Sequence, residues 1–491
     1  MSKPTSRTAA FPAALLKGLT LFHRWVGVVL CAMFAVWFAT GAVMAFVAFP
    51  ALPAPDKARL AAPIDLSRLR VGPQEAARWA GPDADIRLVS RLGEPAYVAR
   101  SRGARDRVLS GETRRPPPPV SPDDARRIAA RFGRADAVNV SGPFDYDQWV
   151  VHQQFDPLRP FYRVRLNDGR GGDYYVSAAT GEVAQRTFAY ERAWNWLGSV
   201  IHWIYLTPIR KSFPVWDWLV WSISLVGLTT TLAGLWLGVT RTQTKMRSKR
   251  PSISPFRGLL RWHHILGLVG GGFVLCWITS GWLSMDHGKL FSQGEASAAQ
   301  LAAYRGAADP THRGFTPEDL RRLAPATSVS FTQVAGHPVA SATGADGNQV
   351  LISEAGGMRL DHRVPAALIA AASEAAWPGE GAPSITPVPA DGVYAKAESL
   401  PASALEIRPS GAGAPRIYVD GASGKILVVM DRSREAYAWV YYVLHTYNFP
   451  GLTSRPALRI TLLLIPLGLG LAFSITGVLT GIRRLRLTAR I

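Results

Sequence analysis

A chain of 491 residues is longer than one domain needs, and 48% hydrophobic content with 16 tryptophans is unusual for a soluble protein, so membrane spans are sought first. The formal net charge of +20 invites a nucleic-acid reading, but its excess gathers in three segments without Asp or Glu, the mark of membrane topology instead. Cys31 and Cys276 are the only cysteines, and no CxxC or CxxCH spacing exists, which excludes covalently attached haem and gives no sign of zinc or an iron–sulfur cluster.

In chain order, residues 1–18 form a basic cytoplasmic tail with Lys3, Arg7 and Lys17, and 19–49 the first span. Residues 25–49, 218–240, 265–285 and 460–482 are uncharged. Each exceeds the roughly 20 helical residues that cross a hydrocarbon core about 30 Å thick. The first run is read as an anchor and not a cleaved signal peptide, because it is too long and Phe46–Pro50 is bulky where a cleavage site would fall. Residues 50–189 form an α+β domain. An aromatic helix (194–205) and the second span follow within 190–240, and 241–258 is a basic loop. The third span is 259–286, a second α+β domain occupies 287–434, an aromatic helix (437–447) and the fourth span fill 435–482, and 483–491 is a basic tail. The positive-inside rule puts Arg24, the basic stretch 241–261 with Arg241, Lys245, Arg247, Lys249, Arg250, Arg257 and Arg261, and the tail with Arg483, Arg484, Arg486 and Arg490 in the cytoplasm. Both large domains then face the other side. Within them, 73–79, 122–132, 317–323 and 365–376 read as helices, and alternating runs such as Phe161–Leu166 as strands of small antiparallel sheets. The prolines 116–119 read as a stiff linker.

The two halves repeat. An offset of 240 carries His23 to His263, Gly27 to Gly267 and Gly41 to Gly281. An offset of 243 carries Gly181 to Gly424, Trp196 to Trp439, His202 to His445, Gly234 to Gly477 and Arg241 to Arg484. The fold expected is therefore a four-helix membrane protein with an internal two-fold repeat and two outer α+β domains.

Four of the ten histidines occupy matched positions. A lone histidine beside a membrane interface is most often a polar anchor, but matched pairs on related helices supply two axial nitrogens to one porphyrin iron. Four suggest two non-covalent haems. His23 and His263 lie at the cytoplasmic end and His202 and His445 at the outer end, too far apart along a helix for one haem to bridge, so like pairs with like. His264 is an alternative to His263, its ring pointing about 100° away. Arg24, Arg210, Lys211 and Arg261 are possible propionate partners, with snorkelling at the interface as the plain alternative. His152 and His287 have no counterpart and read as surface residues. The tryptophans at 194, 196, 203, 216, 218 and 221 read as an interfacial belt, and Trp149 as core rather than as part of a substrate contact with Tyr146.

The openings at His23-Arg-Trp-Val-Gly27 and His263-His-Ile-Leu-Gly267, the histidines at 202 and 445, and the strand–turn–strand segments around Gly181 and Gly424 resemble the PepSY-associated transmembrane family over nearly the whole chain. The resemblance implies PepSY-like periplasmic domains and a bacterial inner-membrane location. It also implies two b-type haems and reduction of a ferric siderophore to release Fe(II) for iron uptake. A separate cytoplasmic or quinol electron donor must then act, because the chain carries no flavin or nicotinamide fold. The lipid bilayer is the other partner, and nucleic acid is not one. Two alternatives stand beside this reading: a non-enzymatic membrane protein binding a periplasmic partner, and a cytochrome b subunit serving another periplasmic enzyme.

Overall fold

The computed structural model describes residues 13–81, 84–306, 314–344, 347–354, 356–379, 381–411 and 413–488. Lys3, Arg7 and Arg490 of the basic ends lie outside them. Four helices are long and apolar enough to cross a membrane: Ala13–Met44, Phe213–Met246, Gly258–Ser284 and Pro456–Thr488. Several boundaries differ from those expected. The first helix begins at Ala13 and stops at Met44, the fourth runs on to Thr488, and the second runs on to Met246, carrying Arg241 and Lys245 at its C-terminal end. Cations there complement the helix dipole and can reach water along their own stems.

The first helix packs on the fourth and the second, and the third packs on the second and the fourth, closing a four-helix ring. Phe34, Phe38, Val274, Ile278, Leu463 and Leu467 fill its centre. Small residues admit these rings: a Cβ on Gly470 would lie 2.6 Å from Phe38, and one on Gly227 3.3 Å from Phe34. Hydroxyls inside the bundle bond back to their own helix, Thr40 to the Val36 carbonyl and Ser474 to the Gly470 carbonyl, both at 2.8 Å. Both donors are thereby satisfied within their own helix.

Fifteen strands lie outside the bundle in three antiparallel sheets among the described residues. In chain order they are β1 (Asp85–Arg91), β2 (Glu94–Arg100), β3 (Arg107–Ser110), β4 (Ala137–Phe144), β5 (Phe161–Leu166), β6 (Asp173–Ser177), β7 (Val183–Thr187), β8 (Ser328–Val334), β9 (His337–Gly344), β10 (Gly347–Glu354), β11 (Gly357–Asp361), β12 (Ser384–Pro387), β13 (Ala404–Arg408), β14 (Arg416–Asp420) and β15 (Ile426–Met430). Strands β4–β7 and β12–β15 form the two small sheets that the alternating runs predict.

The remaining seven strands join the two outer regions, a link that the alternating runs do not announce. They form one sheet in the order β11-β10-β9-β8-β1-β2-β3, crossing from residues 50–189 into 287–434 where β1 pairs with β8, Leu88 opposite Val329. Leu69, Leu88, Tyr97, Leu320, Leu323 and Leu351, all fully buried, form a core drawn from both halves. Leu88→Ala is expected to cost about 2–5 kcal/mol, as for other leucines cut to alanine in closed cores. A lowered thermal unfolding midpoint in detergent checks this.

Helix positions follow their local signals. Ser121 and Asp124 cap Pro122–Gly133 reciprocally and Thr316 and Asp319 cap Pro317–Arg321, each helix having proline in its first turn; Pro73–Ala80 and Ala366–Ala376 complete the set. Two segments connect the sheets to the bundle, and neither is the single helix expected. The first breaks at Gly198 between Ala189–Leu197 and Ser199–His202. The second passes from Arg432–Tyr437 into a π-helical stretch, Ala438–His445.

Candidate functional site

His202 and His445 end these two connecting segments, and each lies over a glycine of a spanning helix. A Cβ on Gly41 would sit 3.6 Å from His202 Cε1, and one on Gly281 2.9 Å from His445 Cε1. The Trp37 indole donates to the His202 carbonyl at 3.1 Å, and the Trp277 indole to the His445 carbonyl at 3.1 Å. The two imidazole centroids stand 6.4 Å apart.

His23 and His263 lie at the other end of the bundle. Gly234 backs the His23 ring, and a Cβ on Gly477 would lie 3.2 Å from His263 Cε1. His263 also stacks on Phe473, with centroids 4.7 Å apart. From His23 to Gly41 the first helix rises 18 residues, roughly 27 Å, so the pairs occupy separate levels.

All four rings share one hydrogen-bonding pattern. Thr40 Oγ1 already donates to Val36 O, so at 2.9 Å it accepts from His202 Nδ1–H. Ser280 Oγ donates to Trp277 O and accepts from His445 Nδ1–H at 3.1 Å. Thr476 Oγ1 donates to Phe473 O and accepts from His263 Nδ1–H at 3.2 Å. The Thr230 carbonyl accepts directly from His23 Nδ1–H at 3.1 Å. These acceptors assign the proton to Nδ1 in every ring. Each Nε2 lone pair is left without a protein partner among the described residues. An imidazole that donates through one nitrogen and offers the other is oriented as a metal ligand. A metal–nitrogen distance of about 2 Å on either side of one ion would place two ring centroids roughly 6 Å apart, so the His202 and His445 rings are spaced as two ligands of one ion would be.

His264 differs. Its Nε2 lies 3.1 Å from the Gly238 carbonyl, to which it donates, its Nδ1 is buried without a partner, and Phe256 packs edge-on against the ring. Arg24, Lys211 and Arg261 are exposed. Arg210 is 1% exposed, caged by Tyr205, Phe213 and Trp216, with Nη2 donating to Gln153 Oε1 at 2.5 Å and two guanidinium nitrogens unpartnered. No group of three or more metal-ligating side chains occurs among the described residues.

Several residues depart from their sequence reading. His287 is not a free surface residue: its Nδ1 lies 2.7 Å from Asp217 Oδ2, and its ring packs between Trp218 and Trp221. His152 is half-buried and accepts from the Gln154 amide, its imidazole lowered by burial and then by the Arg210 guanidinium. Trp216 is buried around Arg210 and leaves the interfacial belt, whereas Trp194, Trp196 and Trp218 are exposed. Trp149 is core, beneath Phe49, as expected. The acceptors Thr40, Ser280, Thr230 and Thr476 were missed. A signal for two of them existed in Trp37-x-x-Thr-Gly41 and Trp277-x-x-Ser-Gly281.

A protein-family model described as PepSY-associated TM region matches residues 20–484. Neither a curated protein nor a solved structure matches the chain.

Proposed function

The chain belongs to the PepSY-associated TM region family, and on that premise we propose that it is a bacterial inner-membrane electron-transfer protein that reduces ferric siderophores. His23 with His263, and His202 with His445, would each hold one b-type haem, and Arg210 is the buried cation nearest in character to a propionate partner. What carries the reading is the shared state of the four rings: Nδ1–H committed to a hydroxyl or carbonyl, and Nε2 free. Two such ligands leave iron no open site for dioxygen, and a haem bound there supplies a one-electron couple. With the basic loop and termini in the cytoplasm, the three sheets lie in the periplasm, the His23 level receives electrons from a separate reductase or quinol, and the His202 level delivers them outward. Fe(II) binds hard oxygen donors more weakly than Fe(III), so reduction releases the metal without destroying the chelator. Duplication of an ancestral helix–domain–helix unit explains why the Trp–His and Gly–His contacts recur in both halves.

The test is the absorption spectrum of the detergent-purified protein, with a pyridine haemochrome count before and after dithionite. Two low-spin haems per chain are expected, with one lost in His23→Ala and one in His202→Ala. Gly281→Val, which drives a side chain into the His445 ring, is expected to lose the same haem as His202→Ala. Colourless protein from haem-sufficient cells would overturn the reading and favour a module that binds a periplasmic partner.

A further inference from the structure

A cleft of about 800 Å³ opens where the first spanning helix leaves the bundle, lined by Phe46, Phe49, Arg170, Phe188, Tyr190 and Glu191. Three segments build it: the chain after the first span, the β5–β6 turn, and the start of the segment that ends at His202. Hydrogen bonds hold the turn in place, Ala189 N donating to Arg170 O at 3.1 Å and Arg192 Nη2 to Gly171 O at 2.8 Å. The walls are aromatic, with Phe46 and Tyr190 each more than 60% exposed. The Glu191 carboxylate is engaged in accepting from the Phe188 amide at 2.9 Å. The Arg170 guanidinium lies 3.5 Å over the Phe188 ring and forms no ion pair with a described residue. Its charge is therefore available to a ligand.

The cleft also touches the outer histidine level. The Phe49 ring is 5.7 Å from Trp203, the residue next to His202, and Phe46 stands five residues beyond Gly41, on which the His202 ring rests. We infer that this cleft is the seat of the ferric chelate, and that it selects anionic chelates with aromatic oxygen donors, of the catecholate type. The inference rests on the reductase reading above. The aromatic walls stack the chelate rings and Arg170 answers their negative charge. One electron, supplied from the His202 level by the haem proposed there, converts Fe(III) of the chelate to Fe(II). The iron–oxygen bonds then break heterolytically, the donor oxygens keep the electron pairs, and water protonates them.

Gallium(III) tests the cleft without electron transfer, because it copies the size and charge of Fe(III) and is not reduced. Trianionic gallium(III) tris-catecholate and neutral gallium(III) tris-acetohydroxamate are titrated into the full chain in zwitterionic nanodiscs, read by tryptophan fluorescence and calorimetry. The trianion is expected to bind, Arg170→Glu to weaken it by about tenfold or more, and Arg127→Glu, the same charge change in the second groove, to leave it unaltered. The neutral complex is expected to bind weakly and to ignore Arg170. Equal binding by Arg170→Glu, equal loss in both variants, or no binding of the trianion would overturn the assignment. So would abolition of chelate binding in nanodiscs containing anionic phospholipid, which would make the cleft a lipid headgroup site. Loss of haem would sink the reductase reading and leave the gallium result standing, so the two failures are distinguishable.

Discussion

Alanine at His263 is expected to remove one haem per chain, whereas alanine at His264 is expected to leave both. The two residues are adjacent on the third spanning helix, but their rings point about 100° apart and differ in their hydrogen bonds. His263 gives its Nδ1–H to Thr476 and keeps Nε2 without a partner among the described residues, while the Nε2–H of His264 is occupied by the Gly238 carbonyl at 3.1 Å. To ligate iron through Nε2, His264 would have to abandon that carbonyl of the second helix and turn its ring away from Phe256. Haem content by pyridine haemochrome, with the low-spin bands of the reduced protein, reads the result. Haem retained in His263→Ala and lost in His264→Ala would transfer the ligand role. Thr476→Val is expected to keep the haem but shift its midpoint potential, because the imidazole loses the acceptor that raises its basicity.

Glu182→Gln is expected to destabilise the sheets by about 3–5 kcal/mol at neutral pH, the range for breaking one partner of a buried ion pair. Glu182, in the turn between β6 and β7, receives both terminal nitrogens of Arg87 from β1, and Lys57 Nζ lies 3.1 Å away. Arg87 also lies 3.6 Å from the fully buried Asp106 carboxylate. Burial by itself pushes the Glu182 carboxyl up, but Lys57 and Arg87 together outweigh it and hold the group well below the ordinary carboxylate range. A depressed carboxyl contributes its full stability above its unfolded pKa of about 4.3 and loses it as pH falls toward the folded value. Wild-type protein is therefore expected to lose thermal stability on acidification below about pH 4. The glutamine variant, already missing the contribution, should show a shallower acid limb. Matching acid limbs in the two proteins would rule the pair out as the source.

The four spans and the helix starts were legible because each has a local cause: an uncharged run of sufficient length, or a proline at the helix start, which follows a capping residue at Ser121 and Thr316. The histidines at 23, 202, 263 and 445 stood out by position. Their hydrogen-bond acceptors did not, since a Thr or Ser within a span ordinarily bonds back to its own helix, and residue type does not reveal a second bond to a distant ring. The Asp217–His287 pair was hidden for a related reason: a carboxylate beside an apolar run reads as the edge of the membrane. The seven-stranded sheet was illegible because alternation identifies a strand and the face it buries, not its neighbour. Nothing near Leu88 announces that its partner is Val329. The π-helical turn before His445 likewise has no sequence signature in Ala438–His445.

That sheet also imposes an order on biogenesis. Once β1, β2 and β3 have been synthesised, β1 has its outer edge open, and the strand that covers it lies more than two hundred residues downstream, beyond two further spans. Throughout that interval a row of unpaired amides and carbonyls is available to any other extended chain. Nascent copies crowded at one translocation site could therefore exchange edges, β1 of one meeting β8 of another, and the product would be a domain-swapped dimer instead of an aggregate. Stalling synthesis between the second and third spans is expected to leave a half-chain that self-associates through this edge. Supplying residues 259–491 as a separate polypeptide should cap it.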